Sequence, residues 1–133
     1  MSVLHFELNK DLNKVKSCLT DTEQFVRMHP LIYRMKPLGN DRYKVYERVK
    51  LGFLPYSFTY LASVHHADNS VFFHVKVMKI TSISMTFTLQ QEGEKCKVEE
   101  KIEIQTLLPI KAFMLKLFRT QHAVLFANIE KWA

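Results

Sequence analysis

The stretch CKVEEKIEIQ, residues 96–105, alternates with one discordant residue. Cys96, Val98, Glu100, Ile102 and Ile104 fall on one side, and Lys97, Glu99, Lys101, Glu103 and Gln105 on the other. Successive strand residues face opposite ways, so this strand is expected to place a carboxylate, Glu100, among the apolar side chains of its buried face. The stretch YKVYERVKL (43–51) repeats the anomaly. Its inward side reads Tyr43, Val45, Glu47, Val49 and Leu51, while Lys44, Arg48 and Lys50 face out as a basic strip. Burying an unpaired carboxylate in a dry core is strongly unfavourable. Either the shared face lines a wet or ligand-filled cavity, or each acid meets an inward Lys, Arg or His or sits at a strand end near solvent. A one-residue slip or bulge would turn either Glu outward.

Outward from these two segments, residues 31–106 give strand after strand, with turn residues near 39–41, 52–55, 68–69 and 92–94. Six strands are expected, over 31–38, 42–51, 56–66, 70–78, 82–91 and 96–106. The break near Lys79 is marked only by an expected switch in alternation between Val71, Phe73, Val75 and Val77 and the later set Ile83, Met85, Phe87 and Leu89. Short connections imply an antiparallel meander, and one apolar face per strand implies a sheet covered on one side only.

The chain supplies that cover at its end. LPIKAFMLKLFRTQHAVLFANIEKWA (108–133) carries Ile110, Phe113, Met114, Leu117, Phe118, Val124, Leu125, Ile129 and Trp132 at helical spacings, after a proline suited to a first turn. A helix of more than twenty residues spans roughly 30 Å, enough to cross the sheet. Gln121 and Asn128 fall within its apolar stripe and need polar partners. Leu115 and Phe126 fall off the stripe and are expected at a dimer or partner surface or as scattered surface apolar residues.

Before the meander lie an alternating strand, SVLHFELN (2–9), and two short helices. Asp11 is the expected N-cap of the first, which carries Leu12, Val15 and Leu19. Thr20 or Asp21 caps the second, with Glu23 or Gln24 completing a capping box and Phe25, Val26 and Met28 on its apolar side. Pro30 ends the pair.

With 133 residues, 47% hydrophobic, 3 Gly and 4 Pro, the sequence suits one globular domain over 1–133 without linkers. The start lacks signal-peptide features, and no apolar run approaches the roughly 20 residues of a membrane span. A cytoplasmic location is expected. Cys18 and Cys96 share no metal or redox spacing and are read as reduced, buried hydrophobes. The net charge of +6 favours an acidic contact such as RNA, an anionic membrane or an acidic protein, or reflects a merely solvated face.

The order of strand, two short helices, six strands and long terminal helix resembles the helix-grip fold of the START and polyketide-cyclase superfamily, which includes the birch-pollen-allergen family. The resemblance spans nearly the whole chain. Within it, LTDTEQFVRMHPLI (19–32) looks like that superfamily's second helix, where an Asp, an acid, a Phe and then His-Pro lead into strand two. The fold implied is α+β, a seven-stranded curved antiparallel sheet wrapped around a long C-terminal helix, with two short helices after strand one. What the resemblance implies about function is a cavity between sheet and helix for a small apolar or amphipathic ligand of lipid, polyketide or quinone type.

For that cavity, the expected ligand-binding residues are Tyr43, Glu47, Phe58, Tyr60, Phe73, Met85, Phe87, Glu100, Ile102, Phe113, Leu117 and Gln121. Packing alone explains most of the aromatics, but buried tyrosines need hydroxyl partners. The resemblance also admits a cyclase- or dehydratase-like enzyme using the inward Glu residues, or a basic module for a protein or RNA partner; DNA is not expected. The basic strip lacks the interleaved aromatics of single-strand binders. No cofactor is expected and no metal site, since His65 and His66, followed by Asp68, point to opposite faces of a strand. His29 is expected as a cation at a helix end. Phe53 and Leu54, at an expected turn tip, gate a pocket, touch a membrane or partner, or fold back on the core. The chain is expected to act as a monomer or homodimer.

Overall fold

A computed structural model describes residues 1–51 and 54–132. Phe53 and the side chains of Lys50, Leu51 and Leu54 lie outside the described residues.

β1 (Ser2–Leu8) leads into α1 (Leu12–Thr20) and α2 (Thr22–Met28). The Asp11 carboxylate accepts from the Asn13 N–H at the start of α1. Asp21 ends α1 and begins α2, its carboxylate accepting from the N–H groups of Glu23 and Gln24. The meander continues as β2 (Ile32–Gly39), β3 (Arg42–Leu51), β4 (Leu54–Ala67), β5 (Ser70–Val77), β6 (Thr81–Glu92) and β7 (Lys95–Thr106), and α3 (Lys111–Lys131) closes the chain. The sheet order is β1-β7-β6-β5-β4-β3-β2, antiparallel throughout. The helix-grip architecture expected from the sequence is therefore present.

β5 and β6 join through a three-residue turn in which Met78 and Lys79 both adopt left-handed backbone, φ 55° and 66°. Alternation does not switch there. Val77 pairs with Thr81, and odd-numbered residues stay inward on both strands. Three turn residues preserve parity, so the turn itself separates the strands.

Glu47 and Glu100 point inward, with no slip or bulge displacing them. Among the described residues register shifts occur in β2 alone, between Ile32 and Arg34 and between Pro37 and Gly39. There they twist an edge strand that also carries a proline, which discourages pairing with another chain.

α3 is packed unevenly. Gln121, His122, Leu125, Phe126 and Ile129 in its second half are buried, while Phe113 in its first turns is 63% exposed. Phe126 is not at a surface. β1 pairs with β7 and brings Phe6 to 4.5 Å, ring to ring, from Phe126, with Phe87 at 5.9 Å on the other side. The helix is thus clasped by α2, β1 and β7, and the arc it buries is wider than a stripe facing one sheet. Leu115 is half-buried and packs on the same core. Asn128 donates to the Met28 carbonyl at 2.8 Å, which fixes α3 to the end of α2.

His29 sits at that junction. Its Nδ1 accepts from the backbone N–H groups of Leu31 at 3.1 Å and Ile32 at 3.0 Å, so the ring hydrogen resides on Nε2. Burial, and then the proximity of His122, push its pKa down to about 3. It is a neutral imidazole that shapes the entry into β2, and not the cation expected at a helix end. The backbone donors require a lone pair on Nδ1, which a proton would occupy.

Ile129, fully buried, should lose about 2–5 kcal/mol on replacement by Ala. Phe113→Ala should stay within about 0.5 kcal/mol; urea denaturation of the two variants checks the contrast. An ordinary His titrates near 6.5 when unfolded and His29 near 3 when folded, so the unfolded state binds the extra proton between these values. Stability is then full above pH 6.5 and falls on acidification toward pH 3, by up to about 1.4 kcal/mol per unit. His29→Asn, which keeps an acceptor for the two N–H groups, should remove that part of the slope in denaturation midpoints measured from pH 7 to pH 4.

Candidate functional site

The inner face of β2–β6, the end of α2 and the middle of α3 line a cavity of about 40 Å³. Phe25, Phe73, Phe87 and Phe118 supply most of its apolar wall, and His29, Tyr60, Gln121 and His122 its polar groups. Beside it runs an open groove of about 840 Å³ between Leu117, Thr120 and Val124 of α3 and the start of β2 with Arg48 and Val49 of β3. His29, Ile32 and Gln121 line both spaces and form the partition between them.

Glu100 answers the anomaly in β7. It is 0% exposed, and His122 Nδ1 lies 2.8 Å from its Oε1 and 2.7 Å from its Oε2. Among the described residues its carboxylate has no other partner, and Oε2 makes no well-directed hydrogen bond. The pair spans β7 and α3, and the imidazole is held face-on by Phe118 at 5.7 Å and flanked by Phe87 at 5.9 Å. With Nδ1 committed to Glu100, Nε2 is the ring atom left for an occupant of the cavity, and no described residue bonds to it.

Glu47 is 6% exposed and lies beside the Tyr60 hydroxyl. Burial raises its pKa, and the hydroxyl and His122 offset part of the rise. The Tyr60 hydroxyl is pushed well above its ordinary value by burial and then by Glu47, which keeps it a neutral donor. Gln121 is buried, and no described residue hydrogen-bonds its amide. Around one apolar space stand neutral donors on His29 and Tyr60, an amide, and an imidazole whose orientation a carboxylate fixes. Such a set can hold the polar end of a mostly apolar molecule, or pass a proton to and from it.

Of the residues expected at the site, Tyr60, Phe73, Met85, Phe87 and Gln121 line the cavity and Leu117 lines the groove. Glu47 lies beside Tyr60, and Glu100 stands behind His122. Ile102 is core, and Tyr43 and Phe58 are half-buried outside both spaces. Phe113 is exposed and lies outside both, on a different side of α3 from Met114, Leu115 and Phe118, which pack on the core. His122, His29, Phe25 and Phe118 were not among the expected lining residues. The signal for His122 was available, since an inward acid needs a partner and His122 falls in the apolar stripe of the covering helix, three residues before Leu125.

The outer face of β2 and β3 does carry aromatics among its bases. Arg48 lies over Tyr33 at 4.8 Å, and Lys44 and Arg34 over Tyr46 at 5.4 and 5.2 Å. Tyr46 falls between Lys44 and Arg48 on the outward side of β3 itself, and β2 adds Arg34 and Tyr33 beside them. Among the described residues no cluster of His, Cys, Asp and Glu could hold a metal ion, and no helix is long and apolar enough to cross a membrane.

No family model matches the sequence, and no curated protein matches it. Solved structures do match. A START superfamily protein from Mycobacterium smegmatis is 17% identical with a TM-score of 0.74, over 98% of this chain and 97% of that one. The di-domain ARO/CYC StfQ from the steffimycin biosynthetic pathway is 11% identical with a TM-score of 0.76, over 98% of this chain and 45% of that one. A STAR-related lipid transfer protein from Xanthomonas axonopodis is 11% identical with a TM-score of 0.62, over 96% of this chain and 84% of that one. At these identities the likeness is one of fold, and the fold is the helix-grip fold of the START and polyketide-cyclase superfamily.

Proposed function

We propose that the protein binds a small amphipathic molecule, with its polar end at His122, Gln121 and His29 and its apolar body along the groove between α3 and β2–β3. The observation that carries this reading is the set of convergent polar atoms, with Gln121 and Nε2 of His122 unbonded by described residues, in a phenylalanine-lined cavity that adjoins an open groove. Polar groups in such surroundings are normally satisfied, and an occupant would satisfy these. The fold supports the reading by analogy, since the similar structures include a STAR-related lipid transfer protein and a di-domain ARO/CYC from a biosynthetic pathway. A lipid, polyketide or quinone skeleton suits the lining equally.

The cavity's 40 Å³ is far below the roughly 300–1,000 Å³ of sites that enclose a drug-sized ligand. Only the polar end of a ligand enters it as it stands. The body lies in the groove, and deeper entry requires the lightly packed first half of α3 to swing outward, hinged near the buried Gln121 and His122.

Native mass spectrometry of the purified protein, followed by denaturation and identification of any released molecule, is the direct test, backed by titration with the fluorescent fatty acid cis-parinaric acid. Leu117→Glu, in the groove wall, should abolish probe binding with little change in melting temperature. Gln121→Ala should weaken it by about tenfold. Unchanged binding in both variants would exclude this site.

The Glu100–His122 pair separates anchoring from stability. Glu100→Ala strands a buried imidazole and should destabilise by about 3–5 kcal/mol, whereas Glu100→Leu with His122→Leu should recover most of that loss. The double variant should fold and yet bind the carboxylate-bearing probe poorly. Probe affinity equal to wild type in the double variant would assign the pair a structural role only.

A further inference from the structure

The turn joining β5 to β6 and the segment joining β7 to α3 lie side by side. Thr81, which opens β6, pairs with Thr106, which closes β7, and their hydroxyls are 2.8 Å apart. From this shared end apolar side chains project into solvent. Met78 is 77% exposed and Leu107 85%, with Ile80 and Leu108 beside them and Phe113 one helical turn further on. Met78 and Lys79 occupy left-handed backbone that Asn and Gly adopt with less strain. A turn selected for local stability alone would not place Met and Lys there.

The charge around this patch has one sign. Segments 69–91 and 104–129 contain no Asp or Glu. Lys76, Lys79, Lys111 and Lys116 are exposed there, and none forms a salt bridge with a described residue. The nearest acid along β7, Glu103, lies opposite Ser84, within the strand. Most of the remaining acids lie away from this end, on β1, at the caps of α1 and α2 and the first turn of α2, in the β2–β3 and β4–β5 turns and in the β6–β7 hairpin.

We propose that this end of the molecule docks on an anionic lipid bilayer, with Met78, Leu107 and Phe113 entering the headgroup region and Lys79 and Lys111 facing lipid phosphates and carboxylates. Exposed apolar side chains interspersed with lysines match the two requirements for reversible attachment to a membrane surface, apolar burial and attraction to negative charge. A second copy of the chain fits less well, because a two-fold contact sets like charges against each other. RNA fits less well because the patch is mostly aliphatic and offers bases one aromatic ring, Phe113, where single-strand binders stack successive bases on several. The inference rests on surface residues and does not depend on the proposed ligand. It does bring the groove rim, at the start of β2, toward the bilayer, since β2 begins at this same end of the sheet.

The test is co-sedimentation of the full chain with phosphatidylcholine vesicles, with and without phosphatidylserine, at low and high salt. Partitioning is expected only with phosphatidylserine and should fall as salt rises. Lys79→Glu with Lys111→Glu should reduce it more than tenfold, at roughly fivefold per lysine. Met78→Ser with Leu107→Ser should reduce it comparably at unchanged melting temperature, while Lys131→Glu at the far end of α3 should not. Three results would each overturn the proposal. They are no partitioning at low salt, an equal loss with Lys131→Glu, and a concentration-dependent dimer in place of vesicle binding that Met78→Ser with Leu107→Ser dissolves.

Discussion

The buried contact between Glu100 on β7 and His122 on α3 sets the relation between helix and sheet. Without it, a helix with a broad apolar arc could slide or rotate over an apolar sheet at small energetic loss, because dispersion and hydrophobic burial have little directional preference. A carboxylate with a single partner, buried among apolar groups, admits few alternatives. It places His122 opposite the middle of β7, which in turn sets Leu125, Phe126 and Ile129 against the core formed with β1 and α2. The same contact turns the imidazole edge-on to the cavity, so one interaction fixes both the scaffold and an element of the site.

That anchoring gives the helix two characters. Beyond His122, toward its C-terminus, α3 is held by Asn128 on the Met28 carbonyl, Arg27 over the Trp132 ring at 5.0 Å, and Glu130 accepting from the Asn9 N–H at 2.9 Å. Before Gln121 it has no side-chain N-cap, and its apolar residues are half-buried at most. Free energy is thus concentrated at one end of the helix, and the other end has low local stability. Opening motions are drawn from such regions. The groove lies along this looser half, so access to the cavity is controlled by the part of the fold that is easiest to displace.

The strands and helices were legible because each carries an undisguised period, two for β6 and β7 and near 3.6 for α3, and because Asp11, Asp21 and Pro30 punctuate the chain. The inward acids were legible for the same reason. Pairing over long sequence separation was not. Nothing local in SVLHFELN says that β1 lies beside β7, yet that placement buries Phe126 and widens the covered arc of α3. Nor does the apolar stripe of α3 reveal that Phe113 is exposed while Phe118 packs on the core, since the two have equal claims by spacing and only tertiary contacts distinguish them. His29 illustrates the limit in chemical terms. A histidine before a proline reads as a helix-end cation, and only the two backbone N–H groups of the following turn show that it must be neutral.

The polar interior and the asymmetric exterior have one physical cause in common. A sheet covered on one face by one long helix, with two short helices closing one end, leaves apolar side chains at the other end of the cleft unburied, and something must meet them. At the α1–α2 side, β1 and the caps close the structure. At the opposite end the apolar residues of the β5–β6 turn and of the approach to α3 stay open, and the residues around them are basic without neighbouring acids. Water tolerates isolated apolar tips but gives no reason to gather them among lysines. An apolar surface bearing negative charge does, and the cleft that would take an amphipathic molecule is rimmed by the start of β2 and the last part of β3, which meet at that end.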